Sequence, residues 1–282
     1  MSALNAGTGP TRDCADPSIS HSRGAPPRSA QPSPCGIAAR PIGPESRSLH
    51  TPTASSLDNK LLAKLPRGDF ETLAAHLTHV SLPQGQIVYE AGDEVDYIYF
   101  PSGGMFSLLA VMRDGKAIET ATVGREGVIG AMAGLGLYRL LVRAVVQLPL
   151  AASRIPAPAF RRAVAQSNAL RDLCIRYNEV MLTQARITAA CNALHPVEAR
   201  FCRWLLQSSD RAASDTVTLT QELLAEMLGV RRTSVTEVAR KMHDQGVITY
   251  VRGVITILDR AHLERCSCEC YATLIEQEAT LT

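Results

Sequence analysis

The sequence predicts an α+β fold: an N-terminal antiparallel β-roll, a long helix, and a C-terminal winged helix-turn-helix. Three observations predict it. Over residues 80–156, apolar and polar residues alternate at a period of two, with glycines between the runs. Over residues 170–194, apolar residues recur at three- and four-residue steps. Residues 219–257 hold two short helical patterns joined at Gly229 and followed by a hairpin pattern.

With 282 residues the chain can bury one or two ordinary cores. Residues 1–56 hold nine of the sixteen prolines, ten serines and few large apolar side chains. Such a stretch buries too little surface to offset its chain entropy, so it is expected to be a disordered arm. The expected domains are therefore a roll over residues 57–168, a dimerisation helix over 169–194 and a winged helix over 195–282. A net charge of +2 neither requires nor excludes a nucleic-acid partner, so any basic surface must be local. The sequence has no run of eighteen apolar residues and no export pattern at its start, so no membrane association and a cytoplasmic location are expected.

Ordered structure is expected to begin with the helical pattern Leu57, Leu61, Leu62, Leu65, then Phe70, Leu73 and Leu77. In the roll, Ile87 and Tyr89, then Met105, Ser107, Leu109 and Val111, then Val142, Ala144, Val146 and Leu148 read as strands. Asp114-Gly115 between two such runs is the sharpest hairpin signal, because a tight primed turn requires positive φ. Several short strands closed by glycine turns suggest a small roll or barrel.

The long helix carries Leu170, Leu173, Cys174, Tyr177, Val180, Met181, Gln184, Ile187, Cys191 and Leu194 on one stripe. A stripe of this length buries itself on its own roll, in a two-fold helix pair, or in both, since one helix can bury two faces, and dimerisation is the expectation. Pro196 suits a helix start, and Val197, Phe201, Trp204 and Leu205 form a second apolar face.

Thr220 is a good N-cap for a short helix, Gln221–Leu228, whose Leu224, Met227 and Leu228 point inward. Gly229 supplies the tight turn. A second helix over residues 231–245 buries Val235, Val238, Ala239 and Met242 and exposes Arg232, Thr233, Thr236, Glu237 and Arg240. Arg231 and Arg232 open this helix, where cations oppose the macrodipole unless a polyanion faces them. Residues 247–251 and 254–258 alternate around Arg252-Gly253, which makes a wing with Arg252 at its tip. Asp259 is expected to cap a single last helix carrying Leu263, Leu274 and Ile275.

The run from Leu219-Thr220-Gln221-Glu222 through Gly229-Val230-Arg231-Arg232-Thr233-Ser234-Val235-Thr236 resembles the Crp/Fnr superfamily of bacterial regulators. So do His195 with Arg203-Trp204-Leu205-Leu206, the segment Ser267-Cys268-Glu269-Cys270-Tyr271, and Gly124-Arg125-Glu126-Gly127-Val128-Ile129-Gly130 upstream. The resemblance implies a cyclic-nucleotide-binding-like roll, a dimer helix and a winged helix that binds double-stranded DNA, with RNA polymerase as a further partner. It sets Arg232 where the family reads a guanine, and Thr233 and Glu237 at two further base-facing positions. An arginine fork fits the O6 and N7 acceptors of guanine, and a glutamate can accept from a cytosine amino group. Thr236 completes the expected base-reading set. Thr220, Arg231, Ser234, Arg240 and Arg252 are expected to meet phosphates.

Cyclic-nucleotide binders of that family carry a Gly-Glu pair for the ribose and an Arg followed by a small residue for the phosphate. Here Ala131 follows Gly130, and the arginine aligns near Tyr138 or Arg139, so the effector is expected not to be cyclic AMP. Gly130, Ala131 and Arg139 remain the candidate effector residues. On one continuous helix, Cys266 and Cys270 share a face while Cys268 points elsewhere. The triplet is therefore read as packing thiols, with no metal and no cofactor expected. No nucleophile–base spacing, phosphate loop or paired-histidine motif suggests an enzyme. A winged helix serving only protein contacts is the alternative, and an absence of salt-dependent DNA affinity would mark it.

Overall fold

The computed structural model describes residues 58–281. The expected disordered arm, with Cys14 and Cys35, lies outside them, as does Leu57. Two short helices come first, α1 (Lys60–Ala63) and α2 (Arg67–Ala74). Asn59 caps α1 by accepting the Leu61 and Leu62 N–H groups, each at 3.1 Å. Its side-chain amide donates to the Pro101 and Gly127 carbonyls at 2.9 and 2.8 Å, which ties this helix to the roll.

Five antiparallel strands follow: β1 (Thr78–Leu82), β2 (Ile87–Tyr89), β3 (Tyr97–Val111), β4 (Ala117–Val123) and β5 (Arg143–Pro156). The order is β1-β5-β3-β4, with β2 also pairing β5. β3 and β4 meet at Val111↔Ala117 around the Asp114-Gly115 turn, where Gly115 has φ 84°. β3 starts earlier and β5 ends later than the alternating runs suggest. The cause is a kink in β3, whose register against β5 shifts between Pro101 and Gly103 and again before Met105. Gly104 takes φ 80°, and a Cβ there would strike the Pro149 carbonyl and lie 2.8 Å from Leu150 Cα. Only glycine fits, and the bulge interrupts the alternation that would have revealed the full strand.

The sheet serves two cores. Phe106 and Val146, paired across the strands, face a cluster with Leu61, Leu73, Ile98, Phe160, Leu170 and Cys174. The neighbouring pair Met105 and Leu148 belongs to the other cluster, with Phe201, Trp204, Leu224, Val235 and Ile255. The C-terminal helices thus use one face of the roll as a wall of their own core.

Beyond β5 come α3 (Ala157–Gln166), α4 (Asn168–Leu194) and α5 (Val197–Ala212), with Ser167 capping α4 by accepting the Leu170 N–H at 3.0 Å. The rest is β6 (Thr216–Thr218), α6 (Gln221–Leu228), α7 (Arg232–Asp244), β7 (Ile248–Val251), β8 (Val254–Ile257), α8 (Arg260–Cys266) and α9 (Cys270–Leu281). The strands β6-β8-β7 make a small antiparallel sheet.

Much of the apolar stripe of α4 is used within the chain. Leu170, Cys174, Tyr177, Val180, Gln184 and Cys191 are buried, against the roll and against α9, which packs along α4. The expected single last helix is two. Ser267 leaves the helical region at φ −75°, ψ 158°, its hydroxyl bonds back to the Glu264 carbonyl at 2.8 Å, and α9 sets off from Cys270 toward α4.

Candidate nucleic-acid interface

Local rules build the helix-turn-helix. The Thr220 hydroxyl accepts the Leu223 N–H at 3.2 Å to start α6, and Gly229 ends it at φ 62°. The Gly229 Cα faces the roll so closely that a Cβ would lie 2.7 Å from Ile118 Cδ1. α7 begins at Arg232 with Arg231 at its N-cap, and the Arg231 side chain makes no capping bond. Val235, Ala239 and Met242 anchor the inner face of α7, whereas Val238 is only half-buried. Arg231, Arg232, Thr233, Thr236, Glu237 and Arg240 all lie exposed on the outer side, and Ser234 is half-buried.

Two of these side chains are held by α6, which the sequence did not reveal. Arg232 pairs with Glu222 at 2.7 Å, both exposed. Thr236 donates its hydroxyl to Gln221 Oε1 at 2.7 Å and lies 3.0 Å from the Arg232 carbonyl. The shorter helix therefore orients the longer one's outer face. At the wing, Arg252 and Gly253 take φ 52° and 80°, the positive pair that a two-residue primed hairpin turn requires. Arg252 is exposed in a conformation that costs a non-glycine residue about 1 kcal/mol. Thr220 lies at the foot of this wing, against Gly253.

The candidate effector residues do not converge. Gly130, at φ 84°, and buried Ala131 line an apolar cleft of about 140 Å³ between the roll and α4, with Val128, Ile129, Cys174 and Met181. No charged side chain lines it. Arg139 does not line it, and donates to the Gly92 carbonyl at 2.8 Å and pairs with Glu94 at 3.4 Å. The structure thus brings Gly130 and Ala131 together but does not place Arg139 on the cleft they line.

A family model for the Crp-like helix-turn-helix domain matches residues 199–266, and one for the cyclic nucleotide-binding domain matches residues 79–167. The chain belongs to the Crp/Fnr superfamily. As a Crp/Fnr transcription regulator it also shares its fold with solved structures of low identity. A putative Crp/Fnr-family transcriptional regulator from Eubacterium rectale is 17% identical, covers 73% of this chain and 96% of its own, and has a TM-score of 0.58. FixK2 from Bradyrhizobium japonicum is 16% identical, covers 68% and 98%, and also has a TM-score of 0.58. CLP from Xanthomonas campestris, described as a c-di-GMP responsive global regulator, is 18% identical over 68% and 99%, with a TM-score of 0.54. No curated protein matches the chain in sequence. No helix among the described residues is long and apolar enough to cross a membrane.

Several buried polar groups of this Crp/Fnr chain join its two halves. Glu126, from the roll's glycine-rich motif, accepts the Gly124 N–H at 2.7 Å and pairs with Arg211 of α5 at 3.1 Å. Arg211 also pairs with Glu278 of α9 at 2.6 Å. Glu119 on β4 accepts the Trp204 indole N–H at 2.8 Å and the Ser107 hydroxyl. Burial dominates there and pushes the carboxyl up to about 7, against the opposing pull of these two donors and of Arg203 and Arg211.

The structure brings together cysteines that the one-helix reading kept apart. Cys191, His195, Cys268 and Cys270 bring one ligand atom each to within 4.8 Å of one another. The break between α8 and α9 invalidates the one-helix wheel on which that reading rested, whereas Cys266 stays outside the group.

Proposed function

We propose that this regulator binds double-stranded DNA sequence-specifically, as a homodimer on an inverted repeat, with α7 in the major groove. The observation that carries the proposal is the outer face of α7. Its exposed Arg232, Thr233, Thr236 and Glu237 stand on a helix anchored by Val235, Ala239 and Met242 and oriented by Glu222 and Gln221. Arg232 reads a guanine, and Thr233, Thr236 and Glu237 complete the base contacts. Thr220, Arg231, Ser234, Arg240 and Arg252 take phosphates. The strained Arg252 at the wing tip fits that role, since strain is tolerated where a side chain must be displayed.

The dimer rests on the outer side of α4. Ile175, Leu182 and Ala189 recur there at seven-residue steps, interleaved with Asn178 and Ala185, and the first three are exposed. That is a two-helix seam distinct from the face already buried on the roll. RNA polymerase is the further partner. The effector is other than a cyclic nucleotide, because the cleft beside Gly130 and Ala131 offers no charge to a phosphate.

Selection from a random DNA pool, followed by binding titrations of wild type and Arg232→Ala, tests this reading. An enriched inverted repeat, with affinity for it reduced roughly 5- to 150-fold in the variant and discrimination relaxed at one base per half-site, is expected. Equal, sequence-specific binding by the variant would remove Arg232 from its role. No salt-dependent affinity for any DNA would leave the protein-contact alternative.

A further inference from the structure

We infer that Cys191, His195, Cys268 and Cys270 form a structural Cys3His site for a single zinc ion, which fastens the C-terminal helix to the joint between α4 and α5. The four ligands come from three places. Cys191 lies in the last turn of α4, His195 caps that helix just before α5, and Cys268 and Cys270 flank the start of α9. Seventy-seven residues separate Cys191 from Cys268, so only the folded chain assembles the group.

Its dimensions fit one ion. Cys191 Sγ and Cys268 Sγ are 3.6 Å apart, and Cys270 Sγ is 3.5 Å from His195 Nδ1. Tetrahedral zinc with Zn–S bonds of about 2.3 Å has ligand–ligand edges of about 3.8 Å. The ligands of an iron–sulfur cluster are divided among two or more irons, so ligands on different irons stand farther apart than the 4.8 Å that spans all four groups here. Four protein ligands leave no open position, which is the arrangement of a structural rather than a catalytic site.

The surroundings fit as well. The three cysteines are buried, at 0%, 7% and 7% exposure. His195 turns its other nitrogen, Nε2, to the Glu269 carboxylate at 3.1 Å, the orienting contact that a metal-bound imidazole commonly makes. Three thiolates and one dication leave a charge of −1. Arg200 and Arg203, buried within electrostatic reach, offset it, and the Nε of each has no hydrogen-bond partner. Binding would displace the thiol protons to solvent.

The test is metal analysis of full-length protein purified under reducing conditions without added metal. About one zinc per chain is expected, lost in Cys191→Ser and Cys268→Ser but retained in Cys174→Ala and Cys202→Ala. To separate metal loss from misfolding of the cysteine variants, wild-type protein stripped by a chelator is titrated with cobalt. One equivalent should produce the visible bands and sulfur-to-metal charge transfer of a tetrahedral thiolate complex. Glu269→Gln should keep the stoichiometry but weaken zinc roughly 10- to 100-fold in a competition titration. Wild-type protein that carries no metal and takes up no cobalt would overturn the assignment. So would a Cys191–Cys268 disulfide in the freshly isolated protein, or iron with acid-labile sulfide in place of zinc.

Discussion

Glu119 gives the sharpest test of how the roll communicates with the helix-turn-helix. The carboxyl is 5% exposed, is raised to about 7 from an ordinary 4.5, and accepts the indole N–H of Trp204 at 2.8 Å. Between those two values the unfolded chain has released its proton and the folded chain has kept it. The unfolded state then binds fewer protons, so stability falls as pH rises. The contribution is full below about 4.5, declines through the interval and is gone above about 7. At about 1.4 kcal/mol per pH unit, the gap is worth about 3 kcal/mol, most of it lost between pH 5 and 8. Glu119→Gln keeps an acceptor for Trp204 and cannot ionise. Urea unfolding across that pH range should show the wild type losing about 2 to 3 kcal/mol more than the variant. Trp204 is the one tryptophan of the chain, so its emission should titrate with a midpoint near 7 in the wild type and stay flat in the variant. Equal pH slopes for both proteins, or wild-type emission without that midpoint, would refute the argument.

Two further outcomes follow from the charges described above. Arg211→Ala removes the cation beside buried Glu126 and half-buried Glu278 and should cost about 3 to 5 kcal/mol in unfolding free energy, read by denaturant titration. Arg240→Ala and Arg252→Ala should weaken all DNA sequences alike, and each should lower the slope of log affinity against log salt by about 1, measured by fluorescence anisotropy.

The helix-turn-helix was legible because its rules are local. Thr220, Gly229 and the spacing of Leu224, Val235 and Ala239 give α6 its observed bounds and bring α7 within a residue of them, and Arg252-Gly253 gives the wing. The full β3 was hidden by its own kink at Gly103 and Gly104. The break after Cys266 carries neither proline nor glycine, so nothing local separated one last helix from two. Glu119 looks like an outward polar residue in a strand until Trp204, 85 residues away, is packed against it. The pairing of Glu222 with Arg232 and the cysteine–histidine group are likewise tertiary events between residues that sequence spacing does not relate.

Because Met105, Leu109 and Leu148 of the sheet belong to the core of the DNA-binding half, that half is not a free-standing module. Excised at residue 195, it would expose a bare apolar face and lose its wall. Any motion of α7 relative to the roll must therefore repack this shared interior as a unit, which favours discrete positions over a continuous swing. The same sharing leads to one cooperative melting step for the roll and the winged helix together, where a flexibly tethered pair would melt in two.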